Sequence, residues 1–343
     1  MDKADLMKNP KGFETGVRGH DQGVSILFPC VGRRVSLLQA WRRAARACRV
    51  PIRIVGTDIT SLSPALRCCD RAYLVESTTH ADYIDQLLWI ARRERIRLVV
   101  PTVDLDLLIL AQARERFDAL GARVLISCPD VIRICQDKRK TCRFLKRHGF
   151  NTPETLGVRA VLSRRGTVGF PCIVKPWDGH ASKGMIRVDN RRELAFYAGR
   201  TRHAICQPWI QGDEYTSDVY VDFDGQVRCV VPRLRLEVRN GEVSKGRVVK
   251  DPRIMAAVGR LVSVLKAGPG VITVQCIRSR DDRLHFIEIN PRFGGGAPLT
   301  IKAGADLPGW ILRELTGKSL RIDPSGFTDG LTMLRYDAEI WTH

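Results

Sequence analysis

The sequence predicts an α/β domain on an open parallel sheet, followed by a strand-dominated α+β region. Three observations carry this. Between residues 24 and 127, short apolar runs alternate with stretches of helical spacing. Near residue 135 the alternation stops. From 204 to 320, strands dominate. Strand–helix alternation implies parallel strands joined by right-handed crossovers.

The run 24-VSILFP-29 fits a buried parallel strand, and 30-CVGRR-34 makes a turn. Val35, Leu38, Trp41, Ala45 and Cys48 then recur at helical spacing. A second strand, 52-IRIVGTD-58, ends in Asp58. A helix over 81–95, a strand at 97-RLVVPT-102, a helix over 105–119 and a strand at 122-ARVLIS-127 follow. Ligands gather beyond the carboxyl ends of such strands. Gly32, Arg33, Arg34, Asp58 and the 101-PTVDLD-106 segment with Asp104 are expected there. The first turn lacks GxGxxG, so no dinucleotide site is read. The segment 137-DKRKTCRFLKRHGFNTP-153 reads as a helix that stops at Gly149. Strands follow at 171-PCIVKPW-177, 204-AICQPWI-210, 214-EYTSDVYVDF-223 and 224-DGQVRCVVPRLRLEV-238. A helix near 251–266, a hairpin over 270–293 turning at 281-DDR-283, and a helix over 305–316 complete the reading. Residues 1–22 read as a polar tail, and 321–343 are a C-terminal extension without a clear pattern.

The chain has 343 residues, room for two or three domains at about 100–150 each. At 44% hydrophobic and 27% charged it has an ordinary globular composition. No run approaches the roughly 18–20 apolar residues of a membrane span, and the first 23 residues lack the apolar core of a secretory signal. Eleven cysteines without CxxC spacing suit reduced thiols in a cytoplasm, rather than a disulfide frame or a zinc site. The formal charge of +19 comes largely from arginines spread over helical faces. No helix-turn-helix, zinc-finger or RNA-binding signature focuses them, so a nucleic-acid partner is not expected.

The chemistry concentrates in 284-LHFIEINPRFGGGAPL-299. Side chains two apart on a strand share a face, so Glu288, Asn290 and Arg292 project together, and Gln275 can face them across the hairpin. Polar groups in a sheet interior are costly unless satisfied. Oxygen donors of this kind suit Mg²⁺, and an arginine beside them suits a phosphate. A solvated edge strand with an ordinary turn fits the same residues. Lys138 begins a helix and Lys175 ends an apolar strand. Behind Lys175, 177-WDGHASKGM-185 is a small-residue loop (Gly179, Ser182, Lys183, Gly184) through which main-chain N–H groups can approach phosphates. Then come 206-CQPWIQGDEY-215 with Glu214, and a basic strand face with Arg233, Arg235 and Arg239.

The order of these motifs resembles the ATP-grasp superfamily over residues 24 to about 320. The nearest likeness is to stand-alone proteins similar to the carbamoyl phosphate synthetase large subunit, carried by EINPR and by 302-KAGADLP-308. The resemblance implies a Rossmann-like pre-ATP-grasp domain (23–135) followed by a small lobe (136–205) and a large lobe (206–320). It implies ATP and Mg²⁺ as cofactors, with two ions expected and Mn²⁺ admissible. Lys138 and Lys175 would hold the phosphates, and Gly179, Ser182, Lys183 and Gly184 would fold over them. Gln207, Pro208, Trp209 and Ile210 would line the adenine site, with the Pro208 carbonyl and Ile210 N–H pairing to the base. Glu214 would take the ribose hydroxyls. Gln275, Glu288 and Asn290 would ligate magnesium. Arg292, with Lys175 and Arg233, would be catalytic. Arg233 and Arg235 are candidates to grip the acceptor carboxylate, and Gly32, Arg33, Asp58 and Asp104 to wall the second substrate.

The implied activity is a carboxylate–amine ligase acting through an acyl phosphate, on small-molecule carboxylate and amine substrates; a homodimer is admitted. The alternatives are a kinase of carbamate or another small acid, and a nucleotide-binding regulator without turnover. Biotin-dependent carboxylases follow Glu-x-Asn-x-Arg with Gln-Val-Glu, whereas Phe293 and Gly294–Gly296 stand here. Carbamoyl phosphate synthetase proper has two such modules, and this chain has one.

Overall fold

A computed structural model describes residues 10–13, 23–179 and 184–342; Ser182, Lys183 and most of the 1–22 segment lie outside the described residues. The first sheet contains β1 (Lys11–Phe13), β2 (Val24–Phe28), β3 (Ile52–Asp58), β4 (Arg71–Leu74), β5 (Ile96–Val99) and β6 (Arg123–Val124), in the order β1-β4-β3-β2-β5-β6. β2 through β6 are parallel, and β1 joins antiparallel to β4. The apolar runs made β2 and β3 legible because both are buried from end to end or nearly so. β4 carries only four residues, RAYL, and gave no such run. Lys11–Phe13, read within the polar tail, instead forms the edge strand β1. The expected helix over 105–119 is two short ones, Leu107–Gln112 and Arg114–Asp118, parted at Ala113.

The second sheet is antiparallel: β7 (Leu156–Gly157), β8 (Cys172–Pro176), β9 (Ile186–Val188) and β10 (Ala204–Pro208), in the order β7-β10-β8-β9. The third contains β11 (Gly212–Val221), β12 (Val227–Arg239), β13 (Glu242–Val248), β14 (Gly270–Ser279), β15 (Leu284–Asn290) and β16 (Thr332–Leu334), in the order β15-β14-β11-β12-β13-β16, all antiparallel. Residues 209–211 connect β10 of the second sheet directly to β11 of the third. The C-terminal extension therefore supplies an edge strand. The helices Pro129–Gln136 and Lys138–Arg147 contribute Val131, Cys135 and Leu145 to the core under the third sheet, with Phe286 and Ile289. The stretch assigned to the small lobe thus begins on the large one.

The first and third sheets share one core. Fully buried Trp41, from the helix Val35–Cys48, meets Phe28 at 5.7 Å and Phe293 at 6.2 Å, both edge to face. The helix Leu307–Leu315 packs on the same helix through Leu307, Ile311 and Leu312. Lys318 Nζ donates to the Cys48 carbonyl at 3.0 Å. A shared core makes the two sheets one cooperative unit. Trp41→Ala is therefore expected to cost about 3–5 kcal/mol and to lower amide protection of β2 and β14 together. Protection lost in β2 alone would show two independent cores.

Candidate active site

A cleft of about 530 Å³ lies where the three sheets meet. Its residues come from loops and strand faces that were legible one at a time. Glu288 and Asn290 reach it from β15, and Arg292 from just beyond. Gln275 on β14 stands directly opposite Glu288. The register slips between Gln275 and Cys276. Ile287 therefore also lines the cleft while Phe286 and Ile289 are buried, a break in alternation that the sequence did not signal.

Lys138 and Lys175 reach the cleft from different elements, Lys138 lying against the Glu288 carboxylate. Asp137 caps the helix Lys138–Arg147, accepting from the Arg139 N–H at 2.9 Å. This sets Lys138 at the helix start, where its N–H donates to the Trp177 carbonyl at 3.0 Å. Its Nζ donates to the Gly179 carbonyl and lies 3.6 Å from Glu288 Oε1. Lys175, paired with Ile205 across the second sheet, lines the cleft. Burial, then the neighbouring Lys138, pushes its ammonium down to about 8, against support from Glu288 and Glu214. A second opening of about 460 Å³ adjoins the first, sharing Lys138, Gly179, Glu288 and Asn290. Two neighbouring lysines, one of them against Glu288, favour an anion in this half-dry cleft.

The nucleotide-site candidates Gln207, Pro208, Trp209, Ile210 and Glu214 also line the cleft, with Pro153, Ile173, Met185 and Ile277 as apolar neighbours that sequence reading missed. Gln207 Nε2 is engaged by Thr155 Oγ1 at 2.7 Å. The Trp209 N–H is spent on the Pro171 carbonyl at 3.0 Å. Gly184 is not among the lining residues.

The arginines stand differently from their sequence reading. Arg233, 1% exposed, donates Nε and Nη2 to Asp218 at 3.0 Å each, so two of its donors are closed to a substrate. Only its Nη1 is buried without a partner. Arg235 is likewise engaged, by Glu214 at 3.1 Å and by the Gly241 carbonyl. Arg292 donates Nε and Nη2 to Asp104 at 2.9 and 2.5 Å. Burial alone would lower its pKa, and Asp104 outweighs that and holds it above the ordinary value.

The second-substrate wall is corrected in part. Asp104 belongs to the cleft, but Gly32, Arg33 and Asp58 do not line it. Asp58 instead accepts from the Gly32 and Ile59 N–H groups at 2.8 Å each, fixing the first turn. Exposed Arg33 lies 3.8 Å from Asp337. That turn delivers Arg34 to the cleft, held by Nη2 to the Thr102 carbonyl at 3.0 Å. Burial, then Arg292, lowers the Arg34 pKa to about 10, still charged at neutral pH. Glu242, at the start of β13, also lines the cleft, and no sequence pattern marked it. The glycines after Arg292 mainly make room for these arginines. A Cβ at Gly296 would meet Arg233 Nη1 at 2.1 Å, and one at Gly295 would meet Arg34 Nη1 at 3.1 Å.

No helix among the described residues is long and apolar enough to cross a membrane. Residues 26–125 match the family described as PylC-like, N-terminal domain, and residues 135–296 match the ATP-grasp domain. The chain is 24% identical over 280 residues to formate-dependent phosphoribosylglycinamide formyltransferase of Mycolicibacterium gilvum, covering 71% of this chain and 64% of that one. It is 25% identical over 297 residues to the carbamoyl phosphate synthase large chain of Vibrio cholerae, covering 80% of this chain and 26% of that one. This chain thus spans under two thirds of either relative. In fold it is similar to the biotin carboxylase domain of 2-oxoglutarate carboxylase from Hydrogenobacter thermophilus, solved with MgADP, ADP and bicarbonate. That likeness has TM-score 0.70 at 18% identity, over 91% of this chain and 74% of that one.

The depressed lysine can be observed without any ligand. Lysine-selective NMR is expected to show one ammonium titrating at about 8, absent in Lys175→Met. If every lysine titrates near 10.5, the cleft is wetter than described.

Proposed function

The chain belongs to the ATP-grasp superfamily, and on that premise we propose that it is an ATP- and Mg²⁺-dependent carboxylate–amine ligase. The observation that carries this reading is one cleft lined by both Lys138 and Lys175, in which Lys138 lies 3.6 Å from Glu288, Gln275 stands opposite that carboxylate, and Arg292 lies beyond. In the proposed cycle Lys138 and Lys175 neutralise the phosphate chain of ATP. Pro208 and Ile210 offer backbone to adenine between apolar walls, and Glu214 lies toward the ribose. Glu288, with the amides of Gln275 and Asn290, fits magnesium by its donors: a single carboxylate and neutral oxygens leave coordination sites for phosphates and water. Bound magnesium would supply charge neutralisation at the phosphates.

Arg292, which lines the cleft, would stabilise the transferring phosphoryl group and the acyl phosphate. Three of its five N–H bonds are used by Asp104 and the Phe293 carbonyl, leaving two for an anion. The substrate carboxylate oxygen attacks the γ-phosphorus, and the bond to the bridging oxygen of ADP breaks. An amine nitrogen then attacks the acyl carbon, phosphate leaves, and the amine loses a proton. The protein's part in the first step is positioning and charge. Arg233 contributes at most its free Nη1.

ADP release over pairs of amino acids and small carboxylic acids, with mass spectrometry of any product, tests the reading. Glu288→Gln and Lys175→Ala are each expected to reduce turnover roughly 100-fold or more with melting and circular dichroism preserved. Wild-type turnover in either variant would sink the assignment.

A further inference from the structure

Four arginine–carboxylate pairs line or floor the cleft, and three are closed: Arg233–Asp218 at 3.0 Å, Arg292–Asp104 at 2.5 Å and Arg235–Glu214 at 3.1 Å. The fourth is open, with Arg34 Nη1 lying 3.9 Å from Glu242 Oε1. Both partners are anchored from behind. Arg34 Nη2 donates to the Thr102 carbonyl, and Glu242 Oε2 accepts from Arg335 Nη1 at 3.0 Å. One cationic donor and one anionic acceptor are thus left beside the same gap. Gly295 keeps that gap clear: a Cβ there would lie 3.1 Å from Arg34 Nη1 and 3.2 Å from Glu242 Oε1. The buried, unpartnered Arg233 Nη1 sits next along the triglycine floor, in the same cleft.

We propose that this end of the cleft is a subsite for a zwitterionic α-amino acid, its carboxylate lying toward Arg34 and Arg292 and its ammonium on Glu242. The proposal rests on the ligase reading and adds the class of carboxylate. Local geometry, not net charge, favours it: Arg34, Arg233, Arg292 and Arg335 exceed Asp104, Asp218 and Glu242 by one charge, but the gap itself sets one cationic donor beside one anionic acceptor. A simple carboxylate drawn to Arg34 would face the Glu242 carboxylate at close range and be repelled by it, although Glu242 keeps Arg335. An ammonium on the same molecule turns that repulsion into attraction, and discrimination then comes from the like charge that the wrong ligand brings to Glu242. Burial would raise the Glu242 pKa, but Arg34 and then Arg335 outweigh it and keep it below the ordinary value, so the anchor is ionised at neutral pH.

The test uses the full chain with ATP, Mg²⁺ and hydroxylamine as the amine. Each α-amino acid of a panel is compared with the acid of the same skeleton lacking the amino group. The substrate carboxylate takes the γ-phosphoryl group, releasing ADP. Hydroxylamine nitrogen displaces phosphate and loses a proton, giving a hydroxamate that is measured beside ADP. At least one amino acid is expected to exceed its des-amino partner in kcat/KM by about tenfold or more, the scale of one charged contact. Glu242→Gln is expected to raise its KM by a similar factor without raising KM for ATP, and Glu242→Asp to recover part of the loss. Equal use of the des-amino acid, or an unchanged KM in Glu242→Gln, overturns the subsite and leaves the ligase reading standing. ADP release with no carboxylate at all, from protein that binds ATP by calorimetry, overturns the ligase reading and the subsite with it.

Discussion

The bond on which the site's geometry depends is the two-pronged pair between Arg292 and Asp104. Its partners are 188 residues apart and come from different sheets: Asp104 from the loop after β5, Arg292 from the end of β15. Taking both charges out of water is expensive, so the pair is weak evidence for stability. Its value is positional. A planar guanidinium held at two points cannot swing, and the Arg292 carbonyl is pinned in turn by Thr273 Oγ1 at 2.9 Å. The Trp41–Phe293 contact seats the next residue in the shared core. The first sheet thereby fixes where the third sheet presents its arginine.

Around that fixed point the cleft holds ion pairs that are not fully closed. Glu288 lies 3.6 Å from Lys138, and burial, then Lys138, depresses the neighbouring Lys175. Arg34 and Glu242 face each other without closing. These looser contacts, at 3.6 and 3.9 Å, leave space between their partners that the closed pairs do not. The closed pairs, Arg233–Asp218 among them, set the shape of the walls.

Much of this was legible in the sequence because it follows from period-two geometry. Glu288, Asn290 and Arg292 share a face, and a lysine ending the apolar run CIVKP needed a reason. The parallel order of the first sheet followed from strand–helix alternation. What the sequence hid depends on register and on distant partners. Thr216 opposes Arg233 across β11 and β12, so Asp218 is its diagonal neighbour, which turns an apparent anion grip into a buried pair. Glu242 reads as an ordinary residue of the turn 239-RNGEV-243, and only the docking of β13 and of Arg335 gives it a role. Asp58 looked like a substrate contact because strand-end acids often are, yet the turn at Gly32 uses it.

In the proposed cycle Glu288 exchanges Lys138 for a metal when a triphosphate enters between Lys138 and Lys175. A crystal structure with a non-hydrolysable ATP analogue and Mg²⁺ tests it most directly. The account predicts the triphosphate between the two lysines, with Glu288 and Asn290 on the metal and the Arg292–Asp104 pair intact. Nucleotide bound elsewhere, with the Lys138–Glu288 contact undisturbed, would contradict it.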